Sequence, residues 1–110
     1  MKIAAFTKDL MFSSRIREAS GSSEVLFARS LEDLRSAAAD GLSLVILDLA
    51  NGESEAAFKL VKTALPGAVC IGYYPHVDKD TADKFKQLGC DKVLPRSRFV
   101  RELPELIKSA

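Results

Sequence analysis

The stretch Leu42-Ser43-Leu44-Val45-Ile46-Leu47, followed at once by Asp48, is almost continuously aliphatic. An alternating pattern would mark a strand with one wet face. A continuous one marks a strand covered on both faces, as in the middle of a parallel sheet. Four other short apolar runs, residues 2–6, 24–28, 68–72 and 92–94, flank it at nearly even spacing.

The segments between these runs carry helical spacing. Leu31, Leu34 and Ala38 recur at steps of three and four behind Ser30, an N-cap with Asp33 in capping-box position, and the pattern stops at Gly41. Ala57, Leu60, Val61 and Ala64 form a second stripe, closed by Pro66-Gly67. Ala82, Phe85 and Leu88 form a third, behind Asp78 or Asp80 and closed by Gly89. Leu10, Ile16 and Ala19 predict a first helix over residues 9–19, ended by Ser20-Gly21. Phe99, Leu103, Leu106 and Ile107 predict a last helix over 97–109, which Pro104 is expected to kink or split into two short turns.

A strand followed by a helix, five times over, means right-handed βαβ units and a parallel sheet with helices on both faces. The expected fold is therefore α/β and flavodoxin-like: a doubly wound five-stranded parallel sheet in the order 2-1-3-4-5. The 110 residues fit one domain, 1–110, with no repeat, linker or low-complexity stretch.

Composition narrows the function. Hydrophobic residues make up 47% and charged residues 28%, ordinary globular values that exclude intrinsic disorder. Sixteen Lys and Arg against fifteen Asp and Glu leave a net charge of +1, which removes the whole-domain electrostatic case for nucleic acid or an anionic membrane. No run approaches the ~18 apolar residues of a membrane span. The start, MKIAAFTKDL, lacks the apolar core of a signal peptide, so a soluble cytoplasmic location is expected. Cys70 and Cys90, with the one histidine His76, cannot make a structural zinc site, and reduced, buried thiols are expected.

In a sheet of this kind the functional crevice lies outside the carboxyl ends of the strands, at the switch between strands one and three. The residues standing there are Thr7, Lys8 and Asp9 after strand one, and Asp48 after strand three. Tyr73, Tyr74, Pro75 and His76 follow strand four, and Pro95 and Arg96 close strand five. Asp48 stands out, because a carboxylate at the end of the most buried strand is costly unless it is paired or used. It either caps the next loop or serves as a nucleophile or metal ligand. Lys8, Arg29, His76, Arg96 and Arg98 offer an anion-binding rim, against which stands the ordinary reading of solvated surface cations. The dinucleotide and mononucleotide glycine motifs and a Ser–His–Asp arrangement are all absent, which leaves an enzyme with few tools.

Leu44-Val45-Ile46-Leu47-Asp48-Leu49 resembles the phosphoacceptor strand of response-regulator receiver domains, the CheY-like family, and Gly89-Cys90-Asp91-Lys92-Val93-Leu94-Pro95 resembles that family's strand-five segment. The resemblance covers the whole chain and implies Asp48 as phosphoacceptor. It also implies an acidic pair after strand one that holds Mg²⁺, a Thr or Ser after strand four, and a Lys before the strand-five proline. Three of those positions depart here: Thr7 and Lys8 replace the acidic pair, Gly72 or Tyr73 the hydroxyl residue, and Leu94 the lysine. Asp9, one residue beyond the acidic pair, and Asp48 are the weak metal candidates, so Mg²⁺ is disfavoured and no other cofactor is expected. An ammonium at Lys8 is expected to satisfy Asp48 in place of the metal.

The expected function is that of a divergent, pseudo-receiver signalling module, not an enzyme. It would work through protein–protein contact at the face of helix four, strand five and helix five, with weak or no phosphorylation of Asp48. Phe99, Val100 and Leu103 would supply apolar surface there for a partner or a weak homodimer. The alternatives are a conventional switch phosphorylated at Asp48 and a small anion- or nucleotide-binding α/β protein.

Overall fold

A computed structural model describes residues 1–75 and 77–110. The chain alternates strictly: β1 (Lys2–Phe6), α1 (Leu10–Ser20), β2 (Glu24–Ala28), α2 (Leu31–Ala39), β3 (Leu44–Asp48), α3 (Ser54–Ala64), β4 (Val69–Tyr74), α4 (Lys79–Leu88), β5 (Lys92–Pro95) and α5 (Arg96–Ser109). All strands pair in parallel, in the order β2-β1-β3-β4-β5, as the sequence predicts.

The strand register sorts the core into two layers. Ile3, Ala5, Leu44, Ile46, Ile71, Tyr73 and Leu94 face α1 and α5, where they meet Phe12, Ile16, Phe99, Leu103, Leu106 and Ile107. Ala4, Phe6, Val45, Leu47, Cys70 and Tyr74 face the opposite way, toward Leu34, Ala37, Phe58, Val61, Ala82 and Phe85 of α2, α3 and α4. Leu44, Val45, Ile46 and Leu47 are all fully buried, so this one strand contributes to both layers, which its unbroken aliphatic character requires.

Helix ends follow local chemistry. Ser30 accepts from the N–H of Asp33 at 3.1 Å, and the Asp33 carboxylate accepts in return from the Arg29 N–H at 3.2 Å, one residue earlier than in a regular capping box. Asp78 caps α4 through the Thr81 N–H, and Gly89 closes that helix at φ 95°, a conformation that suits glycine alone among common residues.

Three expectations change. β4 runs on through Tyr73 and Tyr74, because both rings are buried, one in each core layer, and the strand continues for as long as both faces stay covered. α5 is one helix from Arg96 to Ser109, not two short turns. Pro104 sits on its exposed side and removes a single donor, while Phe99, Leu103, Leu106 and Ile107 anchor the helix on both sides of it. Phe99 and Leu103 are consequently 0% and 2% exposed and offer no surface to a partner. Cys70 and Cys90 are buried free thiols, as expected.

Candidate functional site

The carboxyl ends of β1, β3, β4 and β5 converge on Thr7, Asp9, Asp48, Tyr73, Pro95 and Arg96. Asp48 is the last residue of β3 and pairs in register with Tyr73 of β4. The two strands are parallel neighbours, so both side chains rise on the α1/α5 side of the sheet, next to the first turns of those helices.

Thr7 and Tyr73 are joined. The Thr7 and Tyr73 hydroxyl oxygens lie 2.8 Å apart, and Thr7 Oγ1 also accepts the N–H of Asp9 at 3.1 Å. Thr7 and Tyr73 are each 2% exposed. The Tyr73 ring stacks on Phe12 at 4.6 Å and on Phe99 at 4.8 Å, and since those two rings also meet at 6.0 Å, it completes a triangular cluster of three. Burial is the main reason its phenol is pushed well above the usual tyrosine range; the Thr7 hydrogen bond opposes this and the Asp48 charge adds to it.

Asp9 does two jobs. Its Oδ1 caps α1 by accepting from the N–H groups of Met11, at 3.0 Å, and Phe12, at 3.3 Å. Its Oδ2 accepts a charge-assisted hydrogen bond from the Arg96 guanidinium, an ion pair between residues 87 apart in sequence. Arg96 in turn lies over the Phe12 ring, 4.3 Å from its centroid, so one arginine and one carboxylate sit against a cluster of three rings. Lys8 is exposed and makes no ion pair with Asp48. The expected Lys8–Asp48 pair is not formed, because the residue after Thr7 points outward at the strand's end. Asp48 accepts from the Ala50 N–H instead, and Arg96, where α5 begins over the crevice, pairs with Asp9.

Asp48 is half-buried. Its Oδ1 accepts from the Ala50 N–H at 3.1 Å, so it does cap its own loop. Burial raises its carboxyl above the usual carboxylate range, the Ala50 N–H and the Arg96 charge pull it down, and the Asp9 charge pushes it up again.

The divalent cation that the receiver resemblance implies does not fit these residues. Mg²⁺ is held by oxygen ligands, usually one or two carboxylates plus waters. Among the described crevice residues, Asp48 has one oxygen, Oδ1, accepting the Ala50 N–H and makes no ion pair. Thr7 is spent on Tyr73 and the Asp9 N–H, Asp9 on a helix cap and on Arg96, and Lys8 is a cation. No group of three or more His, Cys, Asp or Glu side chains arranged to hold a metal occurs among the described residues. Leu94 is buried in the α1/α5 layer, so nothing at its position offers the charge a lysine would.

The remaining candidates separate. Pro95 ends β5 and sets α5 over the crevice, while Arg98 pairs with Glu102 along its own helix and is not part of the site. Arg29 uses its backbone N–H to complete the α2 cap and stands at β2, away from the convergence of Asp9, Asp48 and Arg96. His76 lies outside the described residues. Beside the site, a groove of about 620 Å³ between α1 and α5 is lined by Phe12, Arg15, Pro75, Arg96, Ser97 and Val100. Val100 belongs to this groove and not to the α4 side of α5. Sequence reasoning placed Arg96 at the crevice and in a candidate anion-binding rim, but missed its pairing with Asp9. The available signal was the helix-capping position of Asp9, which places a carboxylate over the crevice within reach of a long side chain at the end of β5.

No family model matches the sequence, and no curated protein matches it by sequence. The solved structures give a clear likeness. A response regulator from Thermotoga maritima superposes with a TM-score of 0.82 at 16% identity, covering 98% of this chain and 94% of that one. A response-regulator receiver domain from Clostridium thermocellum gives 0.78 at 22% identity, with 98% and 91% covered. An atypical orphan response regulator, described as having a phosphorylation-independent regulatory mechanism, gives 0.80 at 14% identity, with 99% and 93% covered. At these identities the likeness establishes the receiver fold.

Proposed function

We propose that this chain is a signalling module built on the receiver fold that acts through protein contact, with little or no phosphorylation of Asp48. The observation that carries the reading is the Thr7–Tyr73 hydrogen bond inside the Phe12–Tyr73–Phe99 stack. A phosphorylation switch needs a cation beside the acceptor and a mobile hydroxyl that moves toward the phosphoryl group. Here the residues at those two places are bonded to each other, buried and packed, which favours one fixed arrangement over two. The orphan regulator of the same fold supports the reading, since its regulation is described as independent of phosphorylation. No helix among the described residues is long and apolar enough to cross a membrane, which is compatible with a module working in the cytoplasm.

The receiver resemblance puts the partner at α4, β5 and α5. β5 is an edge strand, so α4 and α5 flank a free margin of the sheet there. The apolar contribution expected from Phe99 and Leu103 is gone, and recognition at that face would rest on polar side chains. The module would carry no catalytic group and no cofactor.

The test is incubation with acetyl phosphate, or with beryllium fluoride, in the presence of Mg²⁺, read by intact mass and by amide NMR. The expected result is an unmodified protein with an unchanged spectrum. Stoichiometric modification that Asp48→Asn abolishes, with shifts spreading to α4, would replace this reading with the conventional switch.

A further inference from the structure

We infer that Arg96 is a built-in cation that closes the crevice against divalent metal: its guanidinium, held by Asp9 and seated on Phe12, stands in for the ion that this fold would otherwise gather between its carboxylates. The inference rests on the proposed function and explains how that state is maintained. Two contacts hold Arg96 in place, and its acceptor is fixed in turn. Arg96 donates to Oδ2 of Asp9, a residue itself immobilised by the N–H groups of Met11 and Phe12, and the guanidinium carbon sits 4.3 Å from the centroid of Phe12, a ring packed into the Phe12–Tyr73–Phe99 cluster. The pair is partly sheltered, with the Arg96 side chain 48% and the Asp9 side chain 29% exposed. An arginine suits this role better than a lysine, because a planar group can stack on an aromatic face and donate to a carboxylate simultaneously.

The charge balance supports the same assignment. Among the described residues, Asp9 and Asp48 are the acidic groups of the crevice, and the Arg96 charge reaches Asp48. With Arg96 in place, the local charge of two carboxylates and one guanidinium is −1. A dication entering beside a fixed guanidinium meets a like charge at short range, which opposes its binding. Without Arg96, the same carboxylates carry −2 with no internal counter-charge, and Asp9 Oδ2 is released while Oδ1 continues to cap α1.

One substitution therefore should convert a metal-excluding crevice into a metal-accepting one. The experiment titrates Mn²⁺ into 15N-labelled protein and follows paramagnetic broadening at residues 7–9, 48–50 and 96–97, with calorimetry for affinity. In the wild type, millimolar Mn²⁺ should leave these resonances sharp. Arg96→Gln should bind about tenfold more tightly or better, since removing one like charge from beside a dication is worth at least that. Arg96→Lys, which keeps the charge, should show much less gain. The gain should vanish in the Arg96→Gln/Asp48→Asn double variant. Should Arg96→Gln prove unfolded by circular dichroism, Arg96→Met, which retains the aliphatic stem over Phe12, is read in its place.

Equal Mn²⁺ affinity in the wild type and the charge-removed variant, whether measurable or absent in both, would overturn the inference, as would a gain that survives Asp48→Asn. These outcomes are distinct from failure of the functional reading. That reading falls if the wild type is phosphorylated at Asp48, whereas this one falls on metal affinity alone.

Discussion

Replacing Tyr73 with Phe removes a single oxygen from the centre of the site and leaves the aromatic stack in place. The rings of Phe12 and Phe99, at 4.6 and 4.8 Å, still hold the phenyl group, so packing is nearly conserved. What is lost is the 2.8 Å hydrogen bond to Thr7. A buried neutral hydrogen bond contributes about 1 kcal/mol net, and stranding its partner adds desolvation cost, for a total of about 1–2.5 kcal/mol. Thr7→Val should cost more, about 2–3 kcal/mol, because it strands both the Tyr73 hydroxyl and the Asp9 N–H, which Thr7 Oγ1 accepts at 3.1 Å. In the double variant Thr7→Val/Tyr73→Phe, only the Asp9 N–H is left without its acceptor. The double loss should therefore fall short of the sum of the singles by about 1 kcal/mol or more, a coupling energy typical of residues in direct contact. Urea denaturation followed by circular dichroism gives all four stabilities, and the melting temperature of Tyr73→Phe should drop by roughly 4 °C per kcal/mol for a domain of this size. Additivity within about 0.5 kcal/mol would show that the two hydroxyls are not coupled. The account of a locked crevice would then lose its main support.

The other predictions concern neighbouring features. Gly72→Ala should cost about 1–3 kcal/mol by overpacking, since its new Cβ would lie 2.7 Å from a Leu49 methyl in the filled layer above β4; an unchanged urea midpoint would show that Leu49 moves aside freely. Cys70 and Cys90 should resist a thiol-specific disulfide reagent until the protein unfolds, because burial pushes their thiols up to about 12 and about 11; rapid labelling of the native protein at neutral pH would contradict this. Asp48→Asn should stabilise the fold at neutral pH. The folded carboxyl sits above its unfolded value, so ionised Asp48 opposes folding once pH exceeds the folded value, and the benefit of the substitution should fade as pH falls below the ordinary carboxylate range. Melting curves of both proteins from acid to neutral pH check the sign, and a wild type more stable than Asp48→Asn at neutral pH would reverse it.

Periodicity was enough for the fold because burial speaks through it directly. A strand such as Leu44–Asp48, covered on two faces, has to be apolar without interruption, and a helix with one buried side has to repeat every three or four residues. Caps were legible for the same local reason: Ser30, Asp78, Gly41 and Gly89 act within three or four residues of themselves. Asp48 could be placed at the crevice by chain order alone.

Contacts between distant residues were a different matter. Whether Asp48 meets Lys8, and whether Asp9 meets Arg96, depends on the direction in which a strand's last residue points and on the angle at which α5 starts after Pro95. Neither is encoded in spacing. That Pro104 leaves α5 whole was decided by the four anchoring side chains buried on both sides of it, whose combined packing outweighs one missing hydrogen bond. The sequence by itself therefore determined the order of elements, the two core layers and the place of the crevice, all of which follow from local propensity and burial pattern. The tertiary structure alone decided which charges and hydroxyls meet there, because Thr7 with Tyr73, and Asp9 with Arg96, are 66 and 87 residues apart and are joined only when β1, β4, α1 and α5 pack together.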